Sequence, residues 1–175
     1  MYIKMNREKI LNKFFEYPRK KFHIRELARL TKLNPNTVSK FIKELIKENL
    51  LIKNKTKVTF NVWANLENSK FFFERRIHNI KKIYHSNLID FLVKEYNHPD
   101  AIVLYGSYSR GENFEKSDID IAIVTKKELK LDLSKFEKKL GNSIHLVEVD
   151  LTKSRQEFIN NLVNGFVIYG YLKVK

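Results

Sequence analysis

Residues 102–124 read IVLYGSYSRGENFEKSDIDIAIV, and this stretch decides how the C-terminal half of the chain is interpreted. It follows on from Ala101, so that residues 101–105 form an apolar run typical of a buried strand. Gly106 and Ser107 end that run with a turn signal. A second apolar run begins after ten further residues and carries Asp118 and Asp120 within it. The pattern predicts two strands joined through a polar loop.

The spacing of the two aspartates has a chemical consequence. Side chains at positions i and i+2 of a strand lie on one face, so Asp118 and Asp120 are predicted to point the same way. Two ionised carboxylates among apolar residues repel each other and need a partner. A divalent cation such as Mg²⁺ would be one, with waters or phosphate oxygens in its other positions. The turn at Gly106 and Ser107 offers free N–H groups and a hydroxyl, which suit a phosphate.

Gly-Ser, ten residues and then Asp-x-Asp, with Arg110 in between, resemble the minimal nucleotidyltransferase branch of the DNA polymerase β-like superfamily. The resemblance implies that Asp118 and Asp120 are catalytic and bind metal. It also implies that Gly106 and Ser107 bind nucleotide, with Arg110 as a candidate phosphate contact. The expected cofactor is Mg²⁺, and the expected substrate is ATP or another nucleoside triphosphate. The alternative is structural, with Asp118 capping a turn and Asp120 on an exposed strand edge.

A third acid on a neighbouring strand is usual in this superfamily, and two residues compete for its place. The predicted strand at residues 143–149 contains both His145 and Glu148. Their separation is odd, so they point to opposite faces and only one can reach the aspartates. Glu148 is favoured as the third catalytic residue because it is an acid between two valines, whereas His145 aligns with the position where the family often has aspartate. His145 at the site would favour a domain that binds nucleotide without turnover.

The distribution of charge indicates two domains with different partners. The 175-residue chain has a net charge of +14 and a pI near 9.8. Residues 1–65 contain 16 Lys/Arg and 5 Asp/Glu, a net of +11, whereas residues 99–175 contain 12 and 11. An excess of this size over a short segment is typical of proteins that bind a polyanion.

The first 65 residues show a helical pattern followed by a strand pattern. Apolar periodicity predicts helices at 6–16, 24–33 and 35–48, and strands at 50–53 and 57–63. Three helices and a hairpin resemble a winged helix-turn-helix, which implies DNA binding through the third helix. A winged helix used for protein contacts is the alternative. The candidate DNA-binding residues are Asn36, Thr37, Ser39, Lys40, Lys43 and Lys55, and Lys53 and Lys57 are further residues of the predicted wing.

These elements predict an α+β protein with three parts. Residues 1–65 are expected to form a winged helix-turn-helix DNA-binding domain, residues 66–97 a helical connector, and residues 98–175 a polymerase β-like nucleotidyltransferase domain. Its sheet is expected to be small, mixed and flanked by helices. The apolar connector could also hold a homodimer together, since regulators of this class commonly read two half-sites.

The expected function is that of a DNA-binding nucleotidyltransferase that moves a nucleoside monophosphate, AMP above all, from a magnesium-bound triphosphate to a hydroxyl. The resemblance implies an antitoxin-like protein whose acceptor is a tyrosine of a HEPN-family ribonuclease toxin, with aminoglycosides as the other acceptor class. The alternative is a transcription regulator whose second domain only binds nucleotide or a partner protein. The sequence has no cysteine, no secretory segment and no apolar run that could span a bilayer, so a cytoplasmic protein without a membrane partner is expected.

Overall fold

The computed structural model describes residues 2–55 and 60–173 of the chain. These residues form two compact units, Met1–Arg75 and Arg76–Lys175, and the division falls within the predicted connector segment 66–97. Both units contain helices and strands, so the α+β prediction is confirmed at the level of fold class. Within residues 2–55 and 60–173, every helix is too short or too polar to cross a bilayer.

The first unit combines three helices with a three-stranded antiparallel sheet. Its elements in chain order are α1 (Tyr2–Glu16), β1 (Phe22–His23), α2 (Ile24–Thr31), α3 (Pro35–Lys47), β2 (Leu51–Lys55) and β3 (Phe60–Ala64). The sheet order is β1-β3-β2. Phe22 and His23 read as a short extended link in the sequence, but they pair with Val62 and Asn61 and so form a third strand. That pairing ties the segment between α1 and α2 to the hairpin.

Helix α3 begins and packs as its sequence predicts. The Asn34 side chain accepts a hydrogen bond from the Asn36 backbone N–H (2.8 Å), and Pro35 occupies the first helical position. Both features satisfy or remove backbone donors that would otherwise lack partners at a helix start. Buried apolar side chains along one face of α3 join the core of the first unit, which includes Phe14, Phe22, Leu27, Val38, Phe41, Ile42 and Leu45.

The second unit is built on a four-stranded mixed sheet. Helix α4 (Ser69–Tyr84) begins before the division between the units, and α5 (Leu88–Glu95) follows it. The remaining elements are β4 (Ala101–Tyr105), α6 (Gly106–Arg110), β5 (Ile119–Val124), α7 (Ser134–Leu140), β6 (Ile144–Val149), α8 (Gln156–Val163) and β7 (Phe166–Gly170). The sheet order is β6-β5-β4-β7, with β5 and β6 parallel and β4 antiparallel to both β5 and β7.

Both faces of this sheet are covered, which explains why β4 is buried at every position. One face presents Ile102, Leu104, Ile119, Ile121 and Ile123 to apolar side chains of α5 and α7. The other presents Ala101, Val103, Ala122 and Val124, which cluster with Leu162 of α8. Side chains alternate between the two faces along a strand. Tyr105 of β4 and Asp120 of β5, which pair with each other, therefore lie on the same face as Val103 and Ala122. The candidate site therefore lies on the α8 side of the sheet, where β4 ends and β5 begins.

Candidate active site

Gly106 stands where β4 ends, and its backbone conformation and surroundings both require glycine. Its φ of +69° lies in the left-handed region that other residues adopt at a cost. A Cβ atom at this position would lie 2.2 Å from Oδ2 of Asp120. The Asp120 carboxylate therefore fits against the bare backbone of the Gly-Ser turn. The fold thus brings together two halves of the motif that are fourteen residues apart in sequence.

Asp120 itself is held in a partly buried position near the start of β5. It pairs across the antiparallel ladder with Tyr105, and its side chain is 25% exposed. Burial raises the pKa of the Tyr105 phenol, and the nearby Asp120 charge raises it further. The phenol is therefore protonated and neutral near pH 7, and it does not offset a negative charge on Asp120.

Asp118 is exposed and lies one residue before the first residue of β5. The next residue, Ile119, donates its backbone N–H to the carbonyl of Ser143 (2.8 Å), the residue that precedes β6. Hydrogen bonding between the two chain segments therefore begins directly after Asp118. Both aspartates therefore lie at the same end of the sheet as Gly106 and Ser107. Asp118 is the more accessible of the two carboxylates.

His145 occupies the position beside Asp120 on the neighbouring strand. The parallel register of β5 and β6 pairs Asp120 with His145, and the His145 Nδ1 atom lies 3.3 Å from Asp120 Oδ1. The imidazole is 60% exposed and therefore accessible from solvent. His145 thus occupies the position at which the family resemblance implies an aspartate.

Glu148 lies on the opposite face of the sheet, which corrects its prediction as the third catalytic carboxylate. It pairs with Ile123, whose side chain belongs to the α5 and α7 side. There it accepts hydrogen bonds from the Tyr96 hydroxyl (2.5 Å) and from the Leu129 backbone N–H (3.2 Å). Glu148 is thus a structural hydrogen-bond acceptor and not a neighbour of Asp120. The prediction was wrong because it preferred Glu148 to His145 for its carboxyl group. The pairing register of β5 and β6 determines which of the two side chains lies on the face of Asp120.

The loop between α6 and β5 is fixed by polar contacts, one of which involves Arg110. The Arg110 Nε donates to the Glu112 carboxylate (2.7 Å), and both side chains are about half exposed. The predicted contact between Arg110 and a phosphate stays a prediction. It would require Arg110 to leave Glu112 and bind the phosphate instead. Below the loop, the buried Asn79 amide of α4 donates to Tyr108 O (2.9 Å) and to Asn113 Oδ1 (2.8 Å). Asn79 was not predicted from the sequence. A polar residue among the apolar positions of α4 is nevertheless a sequence signal for a buried hydrogen bond.

The residues at this end of the sheet suit a cation whose remaining ligands come from a bound nucleotide. In the part of the chain that the structure describes, no three His, Asp or Glu side chains are gathered closely enough to enclose a metal by themselves. Mg²⁺ is commonly held by one or two carboxylates together with substrate phosphates, which is what Asp118 and Asp120 can provide. A site formed by three acids is not present among the described residues, because His145 and not an acid pairs with Asp120.

The candidate DNA-binding residues on α3 are accessible. Asn36, Lys40 and Lys43 are exposed, and Thr37 and Ser39 are half-buried, while Val38 and Phe41 on the other face are buried. Lys53 is exposed on β2. The side chain of Lys55 and the whole of Lys57 lie outside the described residues. The exposed face of α3 is therefore polar and basic, as the sequence predicts.

The sheet, the Gly-Ser turn and the paired aspartates define the second unit as a nucleotidyltransferase-type domain. Comparison with protein families agrees, because residues 86–171 match the family described as "Polymerase beta, Nucleotidyltransferase". The match spans α5 to β7 and contains Gly106, Asp118, Asp120 and His145. A search of curated proteins finds no match to this chain.

Proposed function

We propose that this protein is a DNA-binding nucleotidyltransferase that transfers a nucleoside monophosphate from a magnesium-bound triphosphate, with ATP as the first candidate, to a hydroxyl acceptor. The observation that carries the proposal is the approach of the Asp120 carboxylate to the bare backbone of Gly106, within the segment that matches the nucleotidyltransferase family. That contact puts an acidic cation site beside a turn that suits phosphate.

The residues of the site have separate tasks in this proposal. Asp118 and Asp120 hold the cation-bound triphosphate, and the Ser107 hydroxyl and the backbone after Gly106 bind its phosphate oxygens. When bound, Mg²⁺ supplies a Lewis acid that polarises those oxygens. The acceptor oxygen forms a bond to the α-phosphorus while the bond to pyrophosphate breaks, and the acceptor hydroxyl releases its proton to solvent.

The acceptor is proposed from the family resemblance and not from the geometry. A tyrosine hydroxyl of a HEPN-family toxin is the first candidate, and a small-molecule hydroxyl is the second. Either would have to approach from solvent, which the exposed positions of Asp118 and His145 permit.

The transfer test uses labelled ATP and Mg²⁺ with candidate acceptors, comparing wild type with Asp118→Asn/Asp120→Asn. These substitutions keep side-chain size and remove both charges. Asp90→Asn, an exposed acid on α5, is the matched control. We expect label transfer by wild type and the control, and loss of transfer in the double variant. Transfer that persists in the double variant would refute the assignment of the site.

A second candidate function is favoured by one observation, the presence of His145 where a third acid is expected. In this alternative the protein is a transcription regulator whose second domain binds nucleotide without transferring it. The same variants separate the two functions. Metal-dependent ATP binding that is lost in the double variant, without label transfer to any acceptor, would favour the regulator.

For the first unit we propose a winged helix-turn-helix that binds DNA through α3. Support comes from the order of its three helices and three strands, from the exposed polar face of α3, and from the net charge of +11 in residues 1–65. Replacing Lys40 or Lys43 with alanine is expected to weaken binding to duplex DNA. Each lost phosphate contact should lower the slope of log K against log salt by about 1.

The control for this test is Lys9→Ala, which removes a lysine that is also exposed, from α1 of the same unit. If Lys9→Ala weakens DNA binding as much as the α3 variants do, binding follows net charge and α3 is not the contact surface. If none of the three variants changes binding, the DNA-binding proposal fails.

A further inference from the structure

One face of the β1-β3-β2 sheet belongs to the core of the first unit. Phe22, Leu51, Val62 and Ala64 are buried there, and they represent all three strands. Because side chains alternate between the faces of a strand, the residues between them lie on the other face. The register arranges these residues in two cross-strand rows, which are Lys21, Trp63 and Ile52 in one row and His23, Asn61 and Asn54 in the other.

These six residues form the outer sheet face, and it is accessible. Lys21 directly precedes β1, and its Nζ atom lies 5.0 Å from the centre of the Trp63 ring, in agreement with the register. Trp63 lies on the central strand β3 and is half-buried, as is Asn61. The other members are exposed, and these are Lys21, His23, Ile52 and Asn54.

The outer sheet face combines aromatic rings with polar and basic side chains. Trp63 and His23 are diagonal neighbours on adjacent strands, and such residues are typically about 7–8 Å apart. Asn54 and Asn61 pair across β2 and β3 and carry amide donors and acceptors. None of the six residues is acidic, and they lie in a segment with a net charge of +11. Such a surface suits a polyanion that offers flat rings and hydrogen-bonding edges, which is nucleic acid with unpaired bases.

The contact between Lys21 and Trp63 is compatible with base stacking. The lysine ammonium group covers the ring in the free protein. At an exposed site, a cation–π contact is weaker than the stacking of a base on an aromatic ring. An incoming base can therefore displace the ammonium group. Lys21 is then close enough to pair with a phosphate of the same strand, so its charge is retained at the interface.

We propose that the outer sheet face binds single-stranded nucleic acid, with Trp63 stacking on an unpaired base and Lys21 contacting a phosphate. Duplex DNA does not offer this contact, because its bases are paired and stacked on each other. A protein partner is disfavoured, because four of the six residues are polar or basic and would lose their water. The six residues are distinct from the α3 residues for which duplex binding is proposed, so the two surfaces can be tested separately.

The fluorescence of Trp63 reports on this face directly, because Trp63 is the only tryptophan of the chain. The full chain is titrated with oligothymidine, with oligouridine and with a DNA duplex, while the anisotropy of a label on the nucleic acid follows total binding. We expect the single strands to quench the emission of Trp63 saturably, and the duplex to bind without comparable quenching. The tighter of the two single strands identifies DNA or RNA as the preferred ligand.

Variants test whether the ring itself carries the affinity. Trp63→Leu should weaken single-strand binding about tenfold, and Trp63→Phe, which keeps a ring, should retain most of the affinity. Phe73→Leu is the matched control, because it removes an aromatic ring that is 60% exposed on α4 and belongs to the same unit. It should leave single-strand binding unchanged. Lys21→Gln should reduce the slope of log K against log salt by about 0.7 for single strands.

Several results would overturn the proposal. Single strands that do not bind, or that bind without quenching Trp63, would do so, as would Trp63→Leu that binds them as tightly as wild type. If Trp63→Phe binds no better than Trp63→Leu, the loss comes from packing of the sheet and not from stacking. Equal quenching by duplex and single strand would assign the face to duplex binding instead. None of these outcomes affects the proposed transferase site, which lies in the second unit.

Discussion

A methyl group added at Gly106 tests the central contact of the candidate site. Gly106→Ala would put a Cβ atom 2.2 Å from Asp120 Oδ2 and 3.1 Å from Asp120 Cγ. Ordinary contacts between heavy atoms lie at about 3.5–4.0 Å, so the carboxylate has to turn away by more than about 1 Å. Because the obstructing atom ends a rotatable side chain, the fold itself can adapt. The larger effect should therefore be on ligand binding and not on stability.

Gly141→Ala is the matched control for the backbone. Gly141 has nearly the same φ, +71°, but a Cβ there meets nothing within 4 Å. A left-handed conformation costs a residue with a Cβ atom about 1–2 kcal/mol, so both variants should lose about that much free energy of unfolding. Only Gly106→Ala should also weaken binding of the magnesium–nucleotide complex, by about 1.4 kcal/mol or more, which is tenfold in the dissociation constant.

Urea unfolding followed by circular dichroism gives the first quantity, and calorimetry with Mg²⁺ and a non-hydrolysable ATP analogue gives the second. Two results would refute the reasoning: Gly106→Ala that binds as tightly as wild type, or Gly141→Ala that binds as weakly as Gly106→Ala.

Three further predictions concern stability. Asn34→Ala removes the cap of α3, a 2.8 Å hydrogen bond, and should lower the free energy of unfolding of the first unit by about 1 kcal/mol in urea. Asn34→Ser keeps a capping oxygen and is the mild reference for that change. Asn79→Ala removes both hydrogen bonds of a buried amide and should lower the free energy of unfolding of the second unit by about 1–3 kcal/mol. Burial, together with the Glu148 hydrogen bond and charge, raises the pKa of Tyr96, so its protonated form stabilises the fold below the ordinary phenol range and this contribution is lost as pH rises through the raised pKa. Urea unfolding at several pH values should show a steeper alkaline decline for wild type than for Tyr96→Phe, and equal slopes would contradict the assignment.

Much of the fold could be predicted because its signals are local. The apolar run at residues 101–105 forms β4 with those same limits, and α3 begins at Pro35 with Asn34 as its cap. Such features depend on a few neighbouring residues and on helical or strand periodicity. Strand β1 was missed because two residues show no periodicity, and Phe22 and His23 become a strand only by pairing with β3.

The site divides in the same way. From the sequence, alternation along a strand predicted that Asp118 and Asp120 point the same way, and the family resemblance linked them to the Gly-Ser turn. The sequence could not decide between His145 and Glu148, because β6 carries apolar residues on both faces and its own alternation does not reveal which face meets the site. Only the parallel register, with Asp120 beside His145 and Ile123 beside Glu148, made that choice. The physical reason is that register depends on the packing of both faces of the sheet, and that packing exists only in the folded chain.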